Sequence, residues 1–406
     1  MGGTTETGAR VVVARQPMFD LEHHVFAYEL LCREPDGSAR PVDDGVRATA
    51  RVLSAALGDI GLQAIVGDKR AFVNVDREFL LAREALPFSP DQVGLELLED
   101  QEIDDALLER LTELVREDGF ILALDDYVFD DAHAPLLELT SIVKVDVLAL
   151  GVDGAIAQLE RLRPHGVTVL AEKLENEHEF HLCRDAGFEL FQGYFFCRPE
   201  LVERRQIPAG GAAALTAASI LARSDVTFEE IERVVSNDPG LSLRLLRLLN
   251  SAAMTRGTPI STVHQALMML GARRVREWAT ITALAGLPQP WDELLPTALT
   301  RAQALRLLAE GRGDDGDAAF AIGLLSVADA MLGVSLTTAL ADLPLAESTR
   351  AALLEGFGPD GVALGAIRRH EMLGPASPGL QPELLARVYL DALVWSQEMS
   401  RSLPVS

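Results

Sequence analysis

The sequence predicts two domains of different class, an α/β barrel over residues 1–205 and an all-helical domain over residues 206–406. Three observations carry this reading. Eight short apolar, β-branched runs recur through the first half with helix-length segments between them, whereas strand patterns cease in the second. The charge is split unevenly: residues 1–205 carry 20 Lys and Arg against 40 Asp and Glu, and residues 206–406 carry 16 against 21. The change falls near Ile207-Pro208-Ala209-Gly210-Gly211, whose Pro and Gly suit a boundary.

The strand runs, in order, are Val11–Val13, Val25–Tyr28, Ala71–Val75, Val93–Leu97, Ile121–Leu124, Ile142–Val145, Val167–Leu170 and Phe188–Phe191. Most are nearly continuous apolar runs, as strands buried on both faces require. Between them, Asp105–Val115 places Leu107, Leu108, Leu111, Leu114 and Val115 on one helical stripe. Further helices are expected near Ala48–Leu57, Ala155–Arg163 and Glu177–Ala186, and His23-His24 falls in the turn between the first two strands. Eight strands with helices between them suit a closed, TIM-like barrel. An open doubly wound sheet is the rival, but no GxGxxG follows any of the runs.

Polar residues stand at the ends of these strands: Glu29, Asn74, Glu96, Asp125 with Asp126, Lys144 with Asp146, Glu172 and Gln192. In a barrel such ends meet at one mouth, where active sites are built. Acids often cap the helix after a strand, which accounts for one or two of these residues but not for seven strand ends. Carboxylates and an amide, with no His or Cys among them, form a hard oxygen site suited to Mg²⁺ or Mn²⁺ rather than zinc. Carboxylates so crowded repel one another unless cations lie between them. Two divalent ions a few Å apart are a common apparatus for attacking a phosphodiester with water, and a nearby Lys can hold that water. The chain has only three lysines, Lys69, Lys144 and Lys173, against 33 arginines, so a retained Lys has a raised chance of a specific task.

Composition narrows the function class. Apolar residues make up 48% of the chain and charged residues 24%, a globular balance rather than a disordered one. The net charge of −25 argues against a nucleic-acid partner. No apolar run is long enough for a membrane span, and Met1–Arg10 lacks the apolar core of a signal peptide. Cys32, Cys183 and Cys197 show no CxxC spacing and read as free thiols, so a cytoplasmic location is expected.

The motifs of the first half, taken in order, resemble the EAL domain, the cyclic di-GMP phosphodiesterase module. Glu29-Leu30-Leu31 stands at the signature position, between Gln16-Pro17-Met18-Phe19-Asp20 and Cys32-Arg33. Phe72-Val73-Asn74-Val75-Asp76, Leu95-Glu96-Leu97-Leu98-Glu99, Asp125-Asp126, Lys144-Val145-Asp146, Ala171-Glu172-Lys173-Leu174-Glu175 and Gln192-Gly193-Tyr194 with Pro199 follow in the family's sequence. The resemblance spans about residues 10–205. It implies Mg²⁺ or Mn²⁺, two per site, held by Glu29, Asn74, Glu96, Asp125 and Asp126. It further implies that Lys144 and Glu172 position or deprotonate the attacking water. Arg33, Gln16, Gln192 and Asp146 would contact cyclic di-GMP, and Glu175 would stabilise a loop. Two departures stand out. The family's glycine-bearing loop after the paired aspartates is Tyr127-Val128-Phe129-Asp130-Asp131-Ala132-His133-Ala134-Pro135 here, and the Gly of its AEGVE motif is Lys173.

In the second half, Thr227 and Glu230 have capping-box spacing before a helix running to Asn237-Asp238, and Pro239 suits the first position of the next helix. Leu241, Leu245, Leu248 and Leu249 then form a stripe, and Ser261 is read as the start of a helix to Gly271. Amphipathic stretches follow at Leu294–Glu310, Ala318–Leu332, Ala346–Leu354 and Pro382–Glu398. The run from Asn237-Asp238-Pro239 through Asn250-Ser251 to Leu270-Gly271 is similar to the HDOD domain, a relative of HD phosphohydrolases without their chemistry. Its two histidines, His264 and His370, are not followed by Asp. The whole chain thus resembles EAL–HDOD signalling proteins of the YuxH type. Two functions follow from the resemblance and stay open on the residues: a metal-dependent phosphodiesterase converting cyclic di-GMP to linear pGpG under HDOD regulation, or a degenerate receptor. The receptor would bind cyclic di-GMP, or nothing, and act through HDOD contacts with a protein partner. A homodimer is a further expectation. Trp278, Trp291 and Trp395 are expected in cores or domain contacts.

Overall fold

The computed structural model describes residues 12–33, 61–82, 85–98, 101–128, 134–197, 209–221, 223, 225–250, 260–287, 291–372 and 380–403. The helix expected near Ala48–Leu57 and the loop residues 129–133 lie outside them. Two compact units are present. One comprises Met1–Leu174, His181–Gly193 and Arg368–Leu390, and the other Glu175–Phe180, Tyr194–Ile367 and Asp391–Ser406.

The first unit holds a closed barrel whose eight strands follow chain order: β1 (Val12–Phe19), β2 (Val25–Arg33), β3 (Arg70–Val75), β4 (Val93–Leu97), β5 (Leu122–Leu124), β6 (Ile142–Asp146), β7 (Thr168–Leu174) and β8 (Leu190–Gly193). Neighbours from β2 to β8 are parallel, but β1 runs antiparallel to both β2 and β8. The link between β1 and β2 explains the reversal, because so few residues can join only antiparallel strands. Asp20 Oδ1 accepts the N–H groups of Glu22 (3.0 Å) and His24 (2.9 Å), and His23 takes a left-handed φ of 68° to close the turn.

Apolar side chains fill the barrel. Met18, Ala27, Phe72, Ala123, Ile142, Leu170 and Leu190 form one buried cluster. The packing explains a glycine: a Cβ on Gly94 would meet the Phe72 ring at 2.5 Å. Helices return between strands with acidic caps. Asp76 accepts from Phe79 N–H (2.7 Å), Asp104 from Leu107 N–H (2.9 Å) and Asp146 from Ala149 N–H (2.8 Å). The helix expected over Asp105–Val115 is regular through Thr112 and widens over Glu113–Glu117, where Asp118 N–H reaches Glu113 C=O. Gly151, at φ 70°, breaks the turn after β6 before the helix continues to Leu162.

The second unit is helical. Thr227 and Glu230 make both bonds of the capping box on the helix Phe228–Ser236. Pro239 opens Pro239–Leu249 behind the Asp238 cap. Thr262, not Ser261, caps Val263–Leu270; its hydroxyl accepts from Gln265 N–H, while Ser261 N–H bonds the Gln265 side chain. Leu294–Arg312 packs against Gly316–Leu325 so closely that a Cβ on Gly323 would overlap the Ala302 backbone. Trp278 and Trp291 are buried, and Trp395 meets Phe320 edge-on at 5.9 Å. Cys183 and Cys197 form no disulfide among the described residues. Among the described residues no helix is long and apolar enough to cross a membrane.

Candidate active site

Strand order places the sequence-selected residues side by side. Asn74 on β3 pairs with Glu96 on β4, Asp146 on β6 with Glu172 on β7, and Gln16 on β1 with Glu29 on β2. Asp125 follows β5, fixed by its N–H to Leu97 C=O (3.0 Å). The reversal of β1 brings Gln16 into the same ring, where Gln192 Nε2 donates to Gln16 Oε1 (3.1 Å) and to Glu29 Oε2 (2.6 Å). Asn74 Nδ2 donates to Glu29 Oε1 at 3.4 Å.

Lys144 sits at the centre. Its ammonium contacts Glu29 (3.1 Å), Asp125 (2.9 Å) and Glu172 (3.1 Å) and makes its closest contact with Glu96. Lys144 is 2% exposed and Glu96 0%. Charges this buried persist only when paired. Burial alone would lower the Lys144 pKa, but four surrounding carboxylates outweigh it and hold the ammonium well above its ordinary range. Glu96 is pushed well up, first by burial and then by Glu29, and Glu29 is raised mainly by burial. Glu172 is also desolvated, but Lys144, a hydrogen bond with Asp126, and Lys173 together bring it down to about 2. Asp126 rises to about 7 through burial and the neighbouring Glu172.

A second lysine completes the mouth. Lys173 Nζ contacts Asp126 (2.9 Å), Asp146 (2.7 Å) and Glu172 (2.9 Å). Burial lowers its pKa, and Glu172 followed by Asp146 and Asp126 more than reverses this. Lys173 was a departure from the EAL pattern rather than a selected site residue; its rarity as one of three lysines was the available signal. Asp126 and Lys173 both have left-handed backbones, φ 44° and 57°, a strain that clusters at functional sites. Glu175 is exposed, and its N–H bonds Glu179 at 2.8 Å; it takes no part in the bonds above. The side chain of Arg33 lies outside the described residues.

The donor set fits a divalent cation. Six carboxylates, Glu29, Glu96, Asp125, Asp126, Asp146 and Glu172, face two ammonium groups, so negative charge is in excess. Oxygens of Asp125, Asp126 and Glu172 lie within 4.8 Å of one another, close enough to share one ion. Glu96 Oε2 and Gln192 Oε1 are buried and accept no hydrogen bond, leaving lone pairs for a ligand.

A barrel with a carboxylate-lined mouth, joined in sequence to a helical unit, defines a two-part class of protein. The HDOD domain model matches residues 207–343. The chain is 33% identical over 407 residues to cyclic di-GMP phosphodiesterase CdgJ of Vibrio cholerae, covering 96% of this chain and 93% of that protein. It is 30% identical over 355 residues to the uncharacterized protein YuxH of Bacillus subtilis, covering 85% and 87%. The chain belongs to the EAL–HDOD family that includes these proteins. A solved structure of Klebsiella pneumoniae BlrP1 with calcium and cyclic di-GMP is 24% identical, with 49% of this chain and 58% of that chain covered and a TM-score of 0.38.

Proposed function

We propose that this protein is a divalent-metal-dependent phosphodiesterase that opens cyclic di-GMP to linear pGpG, under the control of its HDOD domain. The observation that carries the reading is the ring of buried carboxylates around Lys144, in a chain 33% identical over nearly its whole length to a named cyclic di-GMP phosphodiesterase. The matched HDOD segment, residues 207–343, supports the division at residues 205 and 206.

Glu29, Asn74, Glu96, Asp125 and Asp126 are the residues to hold Mg²⁺ or Mn²⁺. When bound, the metal supplies a Lewis acid that polarises the phosphoryl oxygen and activates water. The protein's own groups do the rest. Lys144, whose ammonium contacts Glu29, Glu96, Asp125 and Glu172, stands beside the attacking water and positions it or takes its proton. Glu172 is ionised and orients that water by accepting a hydrogen bond from it. Gln192 holds Glu29 and Gln16 in register at the wall where the dinucleotide enters, and Arg33 and Asp146 provide its polar contacts. The water oxygen forms a bond to one phosphorus as that phosphorus's bond to the 3′ oxygen breaks, and the proton given up by the water ends on the leaving 3′ oxygen, giving linear pGpG with a free 3′ hydroxyl. The site faces a cytoplasmic messenger, and the HDOD domain recruits a protein partner.

Purified full-length protein incubated with cyclic di-GMP and Mn²⁺, with products separated by chromatography, tests the proposal. Linear pGpG is the expected product. Binding without linearisation would leave a receptor, and neither would leave a structural barrel.

A further inference from the structure

The EAL pattern expects glycine at position 173, and the chain has lysine there with φ 57°, a conformation that glycine adopts without cost. The pairing of β7 with β8 shifts between Ala171 and Leu174, so Glu172 and Lys173 occupy a bulge. In a regular strand adjacent side chains point to opposite faces, and a bulge re-aims one of them. Here the bulge lets neighbouring Glu172 and Lys173 meet, with Glu172 Oε1 and Lys173 Nζ 2.9 Å apart. Opposite the bulge, Gly193 has φ 150° and no room for a Cβ against Leu174, which fixes the local backbone.

The ammonium thereby gathers carboxylates that follow or end three successive strands, Asp126, Asp146 and Glu172. Two of them, Asp126 and Glu172, also belong, with Asp125, to the group whose oxygens lie within 4.8 Å. A compact point charge amid three carboxylates does the electrostatic work of a bound cation at that position. We propose that Lys173 is a tethered cation that replaces one of the two divalent ions expected of an EAL site, so that this protein binds a single divalent ion per chain. The inference rests on the metal-site reading above and changes its stoichiometry.

The test is Mn²⁺ stoichiometry on the full-length protein after chelator treatment, read by calorimetric titration and by electron paramagnetic resonance of free and bound Mn²⁺. Wild type is expected to bind one Mn²⁺, and Lys173→Gly, which suits the positive φ, to bind two with a spin-coupled signal. Lys173→Met should also gain the second ion, and Lys173→Arg, which keeps the charge, should not. Two Mn²⁺ on wild type would overturn the inference while leaving the metal site intact, and needs no variant to fold. One Mn²⁺ on both wild type and a folded Lys173→Gly would also overturn it. No Mn²⁺ on any form would overturn the metal-site reading and this inference together.

Discussion

The barrel mouth and the polar cluster of the helical unit use opposite charge arithmetic. At the mouth, six carboxylates meet, among the described residues, the two ammonium groups of Lys144 and Lys173. In the helical unit, Arg273, Arg276 and Arg306 meet Glu277, Glu310 and Asp317, three charges of each sign. There Arg306 reaches Glu277 at 3.1 Å and Asp317 at 3.5 Å, and its guanidinium lies 3.9 Å from the Phe320 ring centre. The helical cluster pairs its own charges and stitches helices together. The mouth carries more carboxylates than ammonium groups, and burial together with that excess raises the pKa of Glu29, Glu96 and Asp126, a balance that an added cation would supply instead. Charge balance therefore separates a structural network from a site awaiting a ligand, where the number of ion pairs does not.

The largest effect that would sharpen this contrast is on stability. Lys144→Met leaves four carboxylates without their shared partner and should destabilise the metal-free protein by about 3–5 kcal/mol, as loss of one member of a buried pair does. Denaturant titration in chelator measures it, and added Mn²⁺ should recover part of the loss. The second effect is on chemistry. Lys144→Arg keeps the charge but not its compact shape, and should lower turnover by at least ~100-fold with Mn²⁺ binding retained. The third tests the balanced cluster. Arg306→Met should cost about 1–2 kcal/mol, because Arg273 and Arg276 still hold Asp317, and Mn²⁺ should not restore it. Recovery by Mn²⁺ there would break the comparison.

The smallest effect is on pH dependence. The folded-state pKa of Asp126 is raised from 3.8 to about 7. Its stabilising contribution is therefore fully present below about 3.8 and is lost as pH rises through about 7. Glu172 has the opposite sign, its folded value near 2 against 4.5, so its contribution is lost only as pH falls toward 2. Between pH 5 and 8 the melting temperature of chelated wild type should thus fall relative to that of Asp126→Asn. An unchanged difference would remove Asp126 from the coupled group.

Much of the barrel was legible because apolar runs such as Val93–Leu97 are buried on both faces, and the strand-end polar residues lie where register puts them at one mouth. The reversal of β1 was implicit in the short Asp20–His24 link, but the uniform βα picture masked it. The site role of Lys173 was hidden because a bulge and a left-handed φ break the alternation on which facing is judged. Asp146 has both meanings at once: one oxygen caps a helix and the other accepts from Lys173. In the helical half, stripes revealed Phe228–Ser236 and Pro239–Leu249. Ala272–Ala285 escaped because much of its length is buried with no narrow apolar stripe. His264 is exposed beside Glu232, 3.2 Å away, and His370 is buried against Tyr389 with ring centres 4.7 Å apart.

The central claim is that the surplus carboxylates of the mouth hold a divalent ion, and the most direct measurement is the thermal shift of full-length protein on adding Mn²⁺ after chelation. At a hundredfold excess over Kd, binding to the native state should add about 2.7 kcal/mol of stability. Wild type should show that shift, and Glu29→Ala and Asp125→Ala should each lose most of it. A wild-type melting temperature indifferent to Mn²⁺, or a shift that survives both substitutions, would contradict the claim.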